Sequence, residues 1–149
     1  MPIIKNIKAR FAAEDVYNIY SACMYCPTFD KFIRESEEYM SEGQMHMFGY
    51  FDDEQLKGVI AVRLNSDDTA EIVGIGVDSQ SRKKGIGKSL IDYAVQTLHI
   101  KAMTAETDDE AAMFYSRCGF EVNEYCKAFD NNIVKRYKCV LKNDKGNGK

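Results

Sequence analysis

The residues best placed to do chemistry are Arg82-Lys83-Lys84-Gly85-Ile86-Gly87-Lys88-Ser89, a basic, glycine-punctuated turn between an apolar strand pattern and an amphipathic helix pattern. Backbone N–H groups at a helix start have no partner within the helix, and the aligned peptide dipoles favour negative charge there. With Gly85 and Gly87 letting a ligand approach the main chain, the turn reads as a phosphate cradle. Two familiar nucleotide loops fail on specific residues. A Walker loop needs a glycine where Arg82 stands, five positions before the Gly87-Lys88-Ser89 run. The dinucleotide fingerprint would continue Gly74 and Gly76 with a third glycine, but Ser79 occupies that place, several residues before any helix.

What remains is Arg82-x-x-Gly85-x-Gly87, and a second segment lies downstream, Ala111-x-x-x-Tyr115-x-x-x-Gly119-Phe120. In these two motifs, in this order and spacing, the chain resembles the GNAT superfamily of N-acetyltransferases. The resemblance implies a cosubstrate, acetyl-CoA, with its pyrophosphate held by Arg82, Lys83, Lys84, Gly85, Ile86, Gly87 and Lys88, chiefly through backbone N–H groups. It further implies that Ile75, Gly76 and Val77 on the preceding strand meet the pantetheine arm and the acetyl carbonyl. Gly74 and Gly76, two residues apart, share one strand face and weaken the strand unless something comes close. A ligand along the strand would account for them; so would a close-packed helix.

Acyl transfer to an amine needs the amine deprotonated, and it releases a thiolate that benefits from a proton. By the resemblance Tyr115 is the acid toward the coenzyme A sulfur, a phenol protonated at neutral pH; otherwise it is a core aromatic. Glu71, eleven positions before Arg82, matches the glutamate base of the histone-acetyltransferase branch of the superfamily. Strand alternation leaves two readings for it, a base with a pKa raised by burial or a solvated carboxylate. Asp108 stands where the family often has an asparagine, and an ionised carboxylate cannot donate. Helix capping is the expected role there.

These residues need elements to position them. The pattern predicts a strand over Ile3 to Phe11, a helix over Ala13 to Met24 ended by Pro27, and a second helix over Thr28 to Met40. Strands follow over Met45 to Phe51, Leu56 to Leu64 and Ala70 to Val77, joined by polar turns. A helix from Gly85 to Leu98 buries Ile86, Leu90, Ile91, Ala94, Val95 and Leu98. Lys101 to Ala105 is a short strand, and Thr107 with Glu110 has capping-box spacing ahead of a helix from Asp108 to Cys118. A hairpin of Glu121 to Phe129 and Ile133 to Leu141 turns over Asp130-Asn131-Asn132. The order β-α-α-β-β-β-α-β-α-β-β is an α/β fold with a mixed, mostly antiparallel sheet of six to seven strands flanked by four helices. It also matches the GNAT fold. Residues 1–141 form one expected domain, and 142–149 a polar, disordered tail.

With 149 residues, 29% charged and 45% hydrophobic, the composition is that of an ordinary globular domain. A net charge of −3 argues against a nucleic-acid face, so the basic turn is a local feature suited to one anion. No apolar run approaches the ~20 residues of a membrane span. Five cysteines without a secretion signal lead us to expect a cytoplasmic setting. Cys23 and Cys26 lack a second pair at zinc spacing, His46 and His99 are isolated, and no metal is expected. The acceptor expected is a small-molecule or peptide amine, with a homodimer left open. Asp30, Glu35, Glu37, Glu38 and Glu42 would suit a cationic amine or polyamine, or are a solvated helix face. A non-catalytic coenzyme A sensor, a different acyl donor and a hydroxyl acceptor are the competing readings.

Overall fold

The computed structural model describes residues 2–143. Seven strands form one sheet in the order β1-β2-β3-β4-β5-β7-β6. They are β1 (Ile3–Asn6), β2 (Met45–Asp52), β3 (Gln55–Leu64), β4 (Thr69–Val77), β5 (Ala102–Thr107), β6 (Glu121–Phe129) and β7 (Asn132–Lys142). Four helices accompany them: α1 (Glu14–Tyr20), α2 (Phe29–Ser41), α3 (Ile86–Leu98) and α4 (Asp109–Arg117). All pairs are antiparallel except β4 with β5. The expected order and the mixed, mostly antiparallel sheet are both found.

The sheet is covered on two faces, and β3 shows why its sequence is an unbroken apolar run. Ile60 and Val62 face α3 and α4 with Leu90, Ile91 and Tyr115, while Val59 and Ala61 face α1 and α2 with Val16, Tyr20 and Phe32. A strand buried on both sides loses the polar alternation of a half-exposed one.

Local chemistry moved several boundaries. The first strand ends at Asn6, not Phe11, because Asn6 Oδ1 accepts the Lys8 N–H (2.8 Å) and turns the chain into a short 3-10 segment, Lys8–Arg10. Ile7 and Phe11, at helical spacing, are thereby both buried. The first helix stops being α-helical at Tyr20, and Ser21–Cys23 continues as a 3-10 turn. Thr28 caps α2 by accepting from the Lys31 N–H. At α4 the cap is Asp108, whose carboxylate accepts the Ala111 N–H (3.2 Å); Thr107 remains in β5, so the expected capping box does not form. Gly119 takes φ +96 after α4, and the Phe120 N–H donates back to the Tyr115 carbonyl (3.0 Å). The last strand runs on to Lys142, and the rest of the expected tail, 144–149, lies outside the described residues.

Candidate active site

Strands β4 and β5 pair only over Thr69–Glu71 with Ala102–Thr104, yet β4 continues to Val77 and β5 to Thr107. Beyond Glu71 the sheet therefore opens. Among the described residues the β4 edge from Ile72 onward has no strand on that side, so main-chain groups facing it need another partner. A bulge lies at the opening: against β3 the register passes from Ala61–Gly74 to Val62–Ile72, leaving Val73 unopposed. A bulge bends its strand and sharpens the local twist, which turns β4 away from β5.

The open edge of β4 leads to the basic turn. Lys83 has φ 67 and Gly85 φ 77, so the chain doubles back through two left-handed residues before α3 begins. A Cβ at Gly85 would meet no atom within 4 Å, and no side chain caps the helix. Among the described residues the first cap bond there is Ser89 N–H to Gly85 O, which leaves the N–H groups of Ile86, Gly87 and Lys88 for a ligand. Arg82, Lys83 and Lys84 are exposed around them, whereas the Lys88 ammonium is paired with Asp92 (2.9 Å). Gly87 has a second role, since a Cβ there would stand 2.7 Å from the Phe114 ring of α4.

The glycines of β4 have a different explanation from the ligand the sequence suggested. A Cβ at Gly76 would lie 2.6 Å from the Ile19 carbonyl, and one at Gly74 would run into the Tyr20 hydroxyl. Both hydrogens face α1. The close-packed helix is what these glycines admit.

Tyr115 projects from α4 between Phe114 (5.2 Å) and Phe120 (5.1 Å) and is 5% exposed. Burial pushes its phenol well above the ordinary range, with the thiols of Cys139, Cys23 and Cys118 adding to the effect. The hydroxyl is therefore firmly protonated. Among the described residues Ser36 Oγ is the only sealed side-chain polar atom without a partner, and Tyr115 is not in that condition.

Cys23 was missed as a site residue, since nothing in a Cys-x-x-Cys at a helix end marks it as one. Its Sγ donates to the Tyr20 carbonyl (3.1 Å) and lies within hydrogen-bond reach of the Ile75 N–H and the Tyr20 hydroxyl. Although the residue is exposed as a whole, desolvation pushes the thiol up to about 11 against those two donors. The Cys23 sulfur thus lies beside the Ile75 N–H at the open edge of β4.

Glu71 occupies the last residue pair before the opening, beside Thr104. Alternation turns it away from the Ala70 and Ile72 side, toward Arg63 (3.9 Å), and its side chain is 49% exposed. It is the solvated carboxylate of the two readings, not an enclosed one. Of the acidic residues on and after α2, Glu42 is taken up by Arg63 (3.2 Å), and Asp30, Glu37 and Glu38 are exposed. Burial raises the Tyr20 and Tyr39 phenols, and half-buried Glu35 is close enough to add to the effect. Among the described residues no three His, Cys, Asp or Glu side chains cluster as metal ligands.

A bulged strand that parts from its parallel neighbour and ends at an uncapped helix start gives a fold of the GNAT type. The chain belongs to that family: the acetyltransferase (GNAT) domain matches residues 8–141. It is 34% identical over 79 residues to the streptothricin acetyltransferase of Escherichia coli, a match covering 49% of this chain and 45% of that protein. In structure it resembles the Bacillus subtilis acetyltransferase solved in complex with CoA, with TM-score 0.70, 17% identity, and 95% and 99% of the two chains covered. It also resembles the ribosomal-protein-S18-alanine N-acetyltransferase of Escherichia coli, with TM-score 0.73, 14% identity, and 95% and 94% covered.

Proposed function

We propose that the chain transfers the acetyl group of acetyl-CoA directly to a primary amine. The observation that carries this reading is the opening between β4 and β5, with the uncapped α3 start beyond the end of β4 and Ile75 on its open edge. In this reading the pyrophosphate sits on the N–H groups of residues 85–88, with Arg82, Lys83 and Lys84 adding attraction screened by salt. The pantetheine arm lies along Ile75, Gly76 and Val77, and the Ile75 N–H polarises the thioester carbonyl. Gly76 contributes through its main chain, because its Cα faces α1.

The amine nitrogen attacks the thioester carbon, a C–N bond forms as the C–S bond breaks, and the electron pair leaves on sulfur. The amine's proton passes to Glu71 through water, since Glu71 is open to solvent at the mouth of the gap. Tyr115 faces the departing sulfur. A phenol raised by burial is a weak acid, so it stabilises the thiolate by donating a hydrogen bond, and the final proton comes from solvent. Relatives whose names specify streptothricin and a ribosomal-protein alanine as acceptors support an amine here.

The test is release of CoA thiol from acetyl-CoA with a panel of amino acids, polyamines, aminoglycosides and peptide N-termini, alongside equilibrium binding of CoA. Turnover with one acceptor, lost in Tyr115→Phe while CoA still binds, is the expected result. CoA binding with no turnover on any acceptor would instead make the chain a coenzyme A sensor.

A further inference from the structure

On one side of the sheet the helical cover ends at β4. The core under α1 and α2 takes in Val73 of the bulge but, among the described residues, nothing from β5, β6 or β7. Tyr39 and Val73 are only partly buried in it, so they stand at its margin, with the uncovered strands beginning beside β4. By alternation Thr104, the β5 partner of Glu71, turns to that uncovered face, opposite to Met103 and Ala105. The flank of α2 therefore overlooks the parting of β4 from β5.

Glu35 sits on that flank, one turn before Tyr39. Its half-buried carboxylate adds to the upward shift of the Tyr20 and Tyr39 phenols and of the Cys23 thiol, so it stands among those three groups. Two of them border the open edge of β4: the Cys23 sulfur lies beside the Ile75 N–H, and the Tyr20 ring reaches Gly74. Among the described residues no cation lies within 4 Å of Glu35. Lys31, one turn earlier, donates instead to the Tyr25 carbonyl (2.6 Å), and Arg63 gives its Nε and Nη2 donors to Glu42 (3.2 and 3.4 Å). The Tyr20 hydroxyl, on a residue 3% exposed, has the Cys23 sulfur within hydrogen-bond reach, a weak acceptor. A half-enclosed carboxylate without a counter-ion is costly unless a cation joins it. An ammonium brings three N–H donors, which a carboxylate and two phenol oxygens can accept.

Resting on the amine-acceptor reading above, we infer that Glu35, with the Tyr20 and Tyr39 hydroxyls, holds an ammonium of the acceptor other than the nitrogen that is acetylated. The acceptor is then a diamine or a larger polycation. The attacking nitrogen must be neutral, because an ammonium has no lone pair. A nitrogen paired with Glu35 stays charged, so a second nitrogen has to make the attack. Its proton leaves through water to Glu71, while the charge on Glu35 is unchanged by the reaction. Arg63 faces Glu71 (3.9 Å) and pairs with Glu42, which leaves Glu35 as the carboxylate of this flank without a cation of its own. An amino acid with an apolar side chain has no second cation to place there.

The experiment compares amines that differ by one ammonium: cadaverine with n-pentylamine, putrescine with n-butylamine, and L-lysinamide with L-norleucinamide. CoA-thiol release from acetyl-CoA is measured on the full chain, beside equilibrium binding of each amine in the presence of CoA. In at least one pair the member with the extra ammonium is expected to bind, and to be used, about tenfold or more better than its partner, the scale of a hydrogen-bonded charge. Glu35→Gln should remove most of that gap, through KM more than kcat, with CoA binding unchanged. Glu35→Asp should restore part of it, and Glu37→Gln, on the exposed side of α2, should leave it intact. Equal binding of both members in every pair, equal loss of both in Glu35→Gln, or no binding of any diamine overturns the proposal. Turnover of the monoamines alone would do so while upholding the amine-acceptor reading. Diamine binding that depends on Glu35 without turnover would reject transfer but uphold the cation site.

Discussion

Replacing Gly74 by alanine asks whether the β4 glycines serve the helix or the ligand. The added Cβ would stand 2.5 Å from Tyr20 Cζ and 2.7 Å from Cε1, whereas carbon contacts settle at about 3.5–4.0 Å. The ring must retreat by about 1 Å. It is 3% exposed and held by Phe11 (5.2 Å between centroids) and Phe32 (6.3 Å), so the retreat displaces the core under α1. Overpacking of this kind costs about 1–3 kcal/mol, which for a domain of this size lowers Tm by about 4–8 °C at the middle of that range. Urea unfolding of Gly74→Ala, Tyr20→Leu and the double variant closes a cycle. Tyr20→Leu alone leaves a void costing about 2 kcal/mol or more, and the alanine methyl then occupies part of it. The double variant should be more stable than the sum of the singles by at least about 1 kcal/mol. Folded Gly74→Ala should still bind CoA. Additivity within about 0.4 kcal/mol, or a fully stable Gly74→Ala that no longer binds CoA, would refute the helix-packing argument.

Gly85→Ala forces a Cβ into φ +77; we expect about 1–2 kcal/mol of lost stability in urea titration, with weaker CoA binding by calorimetry. Tyr115→Phe should lower kcat about 100-fold, the range for one lost transition-state donor, with the Kd for CoA nearly unchanged; an unaltered kcat in single-turnover kinetics would remove Tyr115 from the chemistry. Cys23 and exposed Cys26 can be compared by mass spectrometry after brief iodoacetamide treatment at pH 8. Because burial holds the Cys23 thiol up near 11, it should alkylate more slowly, and equal rates would show that the sulfur is not shielded. The same shift sets a direction for stability: the unfolded thiol loses its proton first, so the Cys23 contribution is intact below about pH 9 and lost as pH rises toward 11. A stability profile that rose over that window in wild type relative to Cys23→Ser would contradict it.

The element order was readable because each signal is local. Hydrophobic stripes at helical spacing placed α2 and α3, and Gly119 marked the end of α4 through a positive φ that the backbone realises. Errors fell where a local side-chain bond outweighed the pattern. Asn6 ended the first strand by folding back on the Lys8 N–H, which an apolar count over Ile3 to Phe11 cannot register. The cap of α4 shifted by one residue for a similar reason, Asp108 being the better-placed acceptor for the Ala111 N–H.

By itself, the sequence determined the build of the α3 start, because orphan N–H groups, a left-handed Gly85 and clustered cations all lie within a few residues of one another. Tertiary structure alone decided what surrounds it. The parting of β4 from β5 depends on pairings between residues tens of positions apart, and so does the bulge at Val73 that turns the strand. The meaning of Gly74 and Gly76 depended on where α1 came to rest, and the placing of Cys23 beside the Ile75 N–H on the 3-10 turn that follows it. Contacts of that range are fixed by the packing of the whole core, which no short window of sequence contains.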